Sequence, residues 1–200
     1  YKRRMNLAFE ITKRLKECDY FEFSVAFISE SGLAVLKQIL LNLKEKGVKG
    51  RIITSTYLGF NAPKMFKQLL SFTNIEVRIF EQEHCGFHPK GFIFHTGDHR
   101  DIIVGSSNLT QTALESNQEW DLFFTSHENG ELASQVSNEF DIQWELSTPL
   151  TNEWIESYKE TYVKPVRPTS VQSLKTIKPN KMQEEALKSL KNLSCLLYTS

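Results

Sequence analysis

Two apolar periods alternate along the chain. Residues 2–17 place Met5, Leu7, Ala8, Ile11 and Leu15 on one side of a helix, with Lys and Arg on the other. The run FEFSVAFIS, starting at Phe21, predicts a buried strand over residues 20–28. A helix is expected over residues 32–45, with Leu33, Val35, Leu36, Ile39, Leu40 and Leu43 inside. Ser29 and Ser31 are its candidate N-caps, and Gly47 ends it. Residues 49–54 predict the next strand and residues 62–72 a helix with Pro63 in its first turn. Residues 75–80 predict a third strand. Such alternation implies right-handed βαβ units. Strands over 87–95 and 101–105 then form an antiparallel pair around a turn at Gly97-Asp98. A short helical pattern runs over 109–114, a buried strand over 117–125, and closing helices over 129–144 and 151–162. The expected fold class is α/β, a mixed and mainly parallel sheet flanked by helices on both faces.

The 200 residues suffice for one domain with a sizeable core. We expect that domain over 1–163, a linker over 164–179 marked by Pro165, Pro168 and Pro179, and the start of a further unit over 180–200. No apolar run reaches the roughly 18 residues of a membrane span. Cys18, Cys85 and Cys195 are an odd number without metal-ligand spacing, and suit a reducing, cytoplasmic setting. His84, Cys85 and His88 lie too close in sequence for a tetrahedral zinc site, so no metal is assigned there. The net charge is zero but unevenly spread. Residues 1–100 hold 16 basic and 10 acidic side chains, residues 101–158 hold no basic and 11 acidic ones, and residues 159–200 hold 8 and 3. A nucleic-acid surface would therefore draw on the N-terminal half and the tail.

The candidate chemistry lies between Phe87 and Asp121. On a strand, His88 and Lys90 project to one face. An imidazole can attack phosphorus or protonate a leaving oxygen, and a neighbouring ammonium can hold phosphate oxygens. The segment Gly105-Ser106-Ser107-Asn108 falls at a strand-to-helix junction. Gly105 admits a close backbone approach there, free N–H groups favour an anion, and Ser106 and Asn108 add donors or simply cap the helix. Glu119 opens a strand, where a carboxylate needs a partner; a histidine is the expected one, and an exposed strand-end acid is the alternative. Thr54, Ser55 and Tyr57 lie at the carboxyl end of a central strand, where α/β sheets bind ligands. They either contact substrate or close the turn.

In this order, His-x-Lys, Gly-Ser-x-Asn and Asn-x-Glu resemble the phospholipase D superfamily and its HKD motif, in the nuclease branch. The resemblance implies that His88 is the catalytic histidine, that Lys90, Ser106 and Asn108 contact the phosphate, and that Glu119 supports the histidine. The motif Asp, expected five residues after the lysine, is replaced by His95. TSTYLGF, from Thr54, is similar to a bacterial branch in which this domain precedes a helicase. Pro179 followed by Gln183 and Ala186-Leu187 resembles the Q-motif of superfamily 2 (DEAD/DEAH-type) helicases, in which the glutamine reads the adenine of ATP. No Gly-x-x-x-x-Gly-Lys-[Ser/Thr] is present, so ATP and Mg belong only to a motor absent from this chain.

One motif supplies one histidine, whereas attack and leaving-group protonation need two. The expectation is a homodimer with two facing motifs, no cofactor, and nucleic acid, DNA in preference, as substrate. A non-catalytic DNA-binding module guiding the helicase and a phospholipid-cleaving enzyme are the alternatives. A role in restriction or defence is implied only by the resemblance.

Overall fold

A computed structural model of the chain describes residues 6–82, 86–164, 182–185 and 189. Two units are distinguished, Tyr1–Pro165 and Val166–Ser200. In the second, residues 182–185 are helical and include Gln183. Residues 165–181 and most of 186–200, with the expected linker and the rest of the Q-motif-like segment, lie outside the described residues, as do His84 and Cys85.

The first unit runs α1 (Leu7–Glu17), β1 (Tyr20–Val25), α2 (Glu30–Lys46), β2 (Lys49–Ser55), α3 (Pro63–Leu70), β3 (Ile75–Phe80), β4 (Lys90–Thr96), β5 (His99–Gly105), α4 (Gln111–Glu115), β6 (Asp121–His127), α5 (Glu131–Glu145), β7 (Thr148–Pro149) and α6 (Asn152–Thr161). The sheet order is β6-β5-β4-β1-β2-β3-β7. Pairs β1–β2 and β2–β3 are parallel, the product of the βαβαβ run. The other four, β1–β4, β4–β5, β5–β6 and β3–β7, are antiparallel, so the sheet is mixed rather than mainly parallel. The pattern foresees the parallel half. In the second half β4 and β5 form a hairpin about the two-residue turn Gly97-Asp98 (Gly97 φ 54°), and β6 returns antiparallel to β5 after a connection that carries α4.

Strand alternation sorts the core between the two faces. Phe21, Phe23, Ile52, Val77, Phe92, Phe94 and Ile103 pack against α1, α2, α3, α4 and α6. Ile53, Ile93 and Ile102 pack against Ala133, Phe140 and Trp144 of α5. Phe23 meets Phe92 and Phe94 edge-on at 5.0 and 5.7 Å, and all three rings are buried. Each buried phenylalanine contributes about 1.5–3 kcal/mol relative to exposure.

Local capping fixes the helix limits. Ser29 accepts from Gly32 N at 2.9 Å, and Gly47 closes α2 in the left-handed region. Thr110, not Ser106 or Asn108, caps α4 by accepting from Ala113 N. The residues before it are not helical, and Leu109 forms a parallel bridge with Ile28. Three expected strands are redrawn. The strand at 20–28 ends at Val25. The strand at 87–95 begins only at Lys90, since Pro89 has no N–H to pair and only its carbonyl is used, by Ala26 N at 3.0 Å. The strand at 117–125 begins at Asp121 and lies at the sheet edge, where Leu122 is exposed rather than buried.

Candidate active site

Four strand ends meet at one edge of the sheet. β1 and β5 end there, and β4 and β6 begin there. Val25 pairs with Lys90, Gly91 with Val104, and Gly105 with Asp121. The 105–109 loop is stitched to the continuation of β1 by Leu109 N to Phe27 O and Ser29 N to Leu109 O, both at 3.1 Å. The HxK pair and the GSxN segment are thereby brought to the same end of the sheet.

His88 is exposed and Lys90 buried. They do meet, though not by strand alternation, since His88 precedes β4. The Lys90 ammonium donates to the His88 carbonyl at 2.8 Å and lies 2.9 and 3.2 Å from the ring Nδ1 and Nε2. Phe27 underlies both. His88 contacts its ring edge-on at 5.7 Å, and Lys90 Nζ is 5.9 Å from its centroid. Burial pushes the Lys90 ammonium below its ordinary range, and the nearby Glu119 charge partly restores it. A cavity of about 390 Å³ opens beside the pair, between the sheet and α5, and also touches Gly105, Glu139 and Gln143.

Gly105 is required by packing. A Cβ there would lie 2.6 Å from Asp121 Cα and also overlap the Trp120 carbonyl, both backbone. Ser107 is buried and donates to Asp121 Oδ2 at 2.6 Å, which fixes the loop. Ser106 is exposed; its hydroxyl donates to Glu119 and accepts from Trp120 N at 3.0 Å. Glu119 also accepts from Asn117 Nδ2 at 3.1 Å. Its partners are thus Ser106 and Asn117 where a histidine was expected, while its charge acts on Lys90. Asn108 Oδ1 is buried without a hydrogen-bond partner among the described residues, an unmet polar atom in the segment that faces the site.

Thr54 and Ser55 are buried and close the turn: both hydroxyls donate to the Ala26 carbonyl, at 3.2 and 3.3 Å. They offer no surface to a substrate. Tyr57 is about half exposed and lies roughly parallel to Phe27, and Phe60 and Trp120 are exposed as well. Asn61, 1% exposed, is the hub. Its Oδ1 accepts from Ile28 N at 2.8 Å, and its Nδ2 donates to Ala26 O, Thr54 Oγ1 and Ser55 O at 3.0, 2.9 and 2.6 Å. Phe27, Asn61, Ser107 and Asp121 carry no motif of their own. Only their adjacency to motif residues signals them.

His95, at the position of the missing motif Asp, lies at the far end of β4 and pairs there with buried Glu22 at 3.0 Å. Glu22 also accepts from Arg51, which reaches Asp141 at 2.8 Å and covers Phe140 and Trp144. Burial alone would raise the Glu22 carboxyl, but the His95 and Arg51 hydrogen bonds and the Arg51 charge hold it below the usual range. A carboxylate is therefore present in this region, supplied by the neighbouring strand. Cys18 is buried, and burial pushes its thiol up to about 11, which leaves it protonated near neutrality.

The family described as "Cardiolipin synthase, PLD-like domain" matches residues 11–144. No curated protein matches the chain. Among solved structures, NucT from Helicobacter pylori superposes with a TM-score of 0.54 at 14% identity, over 71% of this chain and 90% of that one. A phosphatidylserine synthase from Haemophilus influenzae Rd KW20 gives 0.54 at 13%, over 76% and 41%. A polyphosphate kinase from Porphyromonas gingivalis gives 0.54 at 13%, over 92% and 26%. At these identities the likeness is one of fold.

Proposed function

The chain belongs to the PLD-like domain family, and from that premise we propose that it is a metal-independent phosphodiesterase acting on nucleic acid, DNA in preference, through His88. The observation that carries the reading is the His88–Lys90 pair, an accessible imidazole held against a partly desolvated ammonium. An imidazole nitrogen can attack phosphorus, and Lys90 offsets the charge of the two non-bridging oxygens. Attack by His88 forms an N–P bond and breaks the P–O bond to the leaving group. The departing oxygen takes a proton from a second imidazole. Water then attacks phosphorus, gives its proton to that same imidazole, and the N–P bond breaks.

Among the described residues no second histidine reaches this end of the sheet, since His95, His99 and His127 lie at the other end. We assign the second imidazole to His88 of another copy across a two-fold axis. Lys90 and the 105–108 segment of each copy bind the phosphate. The Ser106 hydroxyl exchanges its bond to Glu119 for one to a phosphate oxygen, and the Asn108 amide turns to donate. Nucleic acid is favoured over lipid by the exposed aromatic side chains around the site, Tyr57, Phe60 and Trp120, which offer stacking faces for bases. No helix among the described residues is long and apolar enough to cross a membrane. We assign 1–163 to the phosphodiesterase, 164–179 to a linker and 180–200, with Gln183 as adenine reader, to the opening of a helicase motor that would bring its own ATP and Mg.

A second reading, cleavage of a phospholipid, is favoured by the family description and the synthase neighbour alone. The test uses supercoiled plasmid, single-stranded DNA, RNA and phosphatidylcholine vesicles in EDTA, with wild-type and His88→Ala protein. Cleavage of nucleic acid by wild type alone supports the proposal. Vesicle hydrolysis without nucleic-acid cleavage supports the lipid reading. DNA binding without cleavage by either protein leaves a recognition module.

A further inference from the structure

The opposite end of β4 carries a second cluster of chemically competent side chains. Asp98 occupies the β4–β5 turn, His99 opens β5 and His127 ends β6. His99 and His127 are direct cross-strand partners, so their side chains leave the same face of the sheet. Their rings lie 4.6 Å apart, tilted by 33°. Asp98 sits against both: Oδ1 is 2.5 Å from His99 Nδ1, and Oδ2 is 3.5 Å from His127 Nδ1. One donor atom from each of the three residues lies within 4.8 Å of the other two.

We propose that Asp98, His99 and His127 form a binding site for a divalent transition-metal ion, zinc foremost. The ligand set decides the class of ion. Two imidazoles and one carboxylate suit zinc, copper or nickel, whereas calcium and magnesium prefer all-oxygen shells. The geometry is close to what the ion requires. Bonds of about 2.0–2.1 Å at tetrahedral angles put donor atoms roughly 3.4 Å apart. From the observed spacing this asks for movements on the order of 1 Å. The side chains can make them, being 49% (His99), 64% (Asp98) and 71% (His127) exposed.

The backbone beneath them is held. Gly97 N donates to Asp19 Oδ2 at 2.8 Å, Glu128 N donates to Asp98 O at 2.8 Å, and Arg100 pairs with Glu128 at 2.9 Å. Three ligands leave a fourth position for water or for a ligand from a partner. A metal here ties the β4–β5 hairpin to the edge strand β6. β4 runs about 20 Å from Lys90 to Thr96 at a rise of about 3.4 Å per residue, so the ion takes no part in the chemistry proposed around His88.

The test is titration of the metal-free 200-residue chain with zinc chloride by calorimetry, and with cobalt chloride followed by visible absorption. His99→Ala/His127→Ala and Cys85→Ser proteins are run in parallel, the second as a check on the other thiol- and imidazole-bearing segment. The expected result is one equivalent of zinc at micromolar affinity and a tetrahedral cobalt spectrum in wild type and Cys85→Ser. The double variant should bind at least about tenfold more weakly, and magnesium should not compete. Far-UV circular dichroism is expected to be the same for all three proteins, because both histidines are exposed. Absence of zinc binding by wild type overturns the proposal, as does undiminished binding by the double variant.

Discussion

Replacing Asn61 by Asp tests how the site's floor is held. The two side chains have the same shape, so the substitution isolates the donor. In the wild type, Nδ2 serves three acceptors, the carbonyls of Ala26 and Ser55 and the hydroxyl oxygen of Thr54, while Oδ1 takes the Ile28 N–H. A carboxylate keeps the Ile28 bond and turns a second oxygen toward two carbonyl oxygens in a site that is 1% exposed. The Ala26 carbonyl still receives the Thr54 and Ser55 hydroxyls, at 3.2 and 3.3 Å, but the Ser55 carbonyl loses its 2.6 Å donor. One unmet buried acceptor costs about 1–3 kcal/mol, and the desolvated charge adds more. We expect a loss of about 3–4 kcal/mol at pH 7. At an m of about 2 kcal/mol per molar this lowers the urea midpoint by roughly 1.5–2 M. Protonation restores a donor, so the deficit relative to wild type shrinks toward pH 4. Asn61→Asp protein within about 0.5 kcal/mol of wild type at pH 7 would refute the assignment of Asn61 as the clamp between β1 and β2.

Arg51→Met leaves the Glu22 carboxylate buried with the His95 imidazole as its remaining side-chain partner, and we expect a loss of about 3 kcal/mol at pH 7 in denaturant titration. The sign with pH follows from linkage. The wild-type Glu22 carboxyl is held low, so its contribution is complete above the ordinary carboxylate range and lost as pH falls through the lowered value. In the variant, burial raises the same carboxyl, so the difference between the two proteins narrows in acid; a difference that does not change between pH 7 and pH 4 contradicts this. Trp120→Ala, at a side chain 89% exposed, should leave folding within about 0.5 kcal/mol yet weaken single-stranded DNA binding about fivefold or more. Fluorescence anisotropy in a His88→Ala background reads this, and unchanged affinity removes Trp120 from the substrate path.

Much of the fold can be read from apolar spacing, and the elements that escape it have physical reasons. β3 appears at its observed limits because Ile75, Val77 and Ile79 alternate with polar residues. α2 is framed by Ser29 and Gly47, residue types with definite roles at helix ends. β6 is misjudged because its apolar residues, Leu122 among them, sit on a sheet edge, where apolar character does not report burial. β7 is two residues long and includes Pro149, so no pattern signals it. In the candidate site, the HxK and GSxN segments are visible as motifs, and their convergence needs the register of β1, β4, β5 and β6. The Ser106–Glu119 bond, the Ser107–Asp121 bond and the Asn61 clamp come from loops folding back on strand ends, which local spacing does not encode. The Glu22–His95–Arg51 network joins three strands that are distant in sequence but adjacent in the sheet.

In the proposed reaction His88 becomes covalently bonded to phosphorus during turnover, and that bond can be trapped. Wild-type protein can be mixed with an excess of end-labelled oligonucleotide in EDTA, quenched with alkaline detergent after one turnover, and analysed by intact mass and peptide mapping. The expected product is an adduct of the protein with the phosphorylated fragment, labile to acid, mapped to the peptide holding His88, and missing from His88→Ala protein. Cleavage without any adduct, or an adduct that persists in His88→Ala protein, would contradict the proposed reaction.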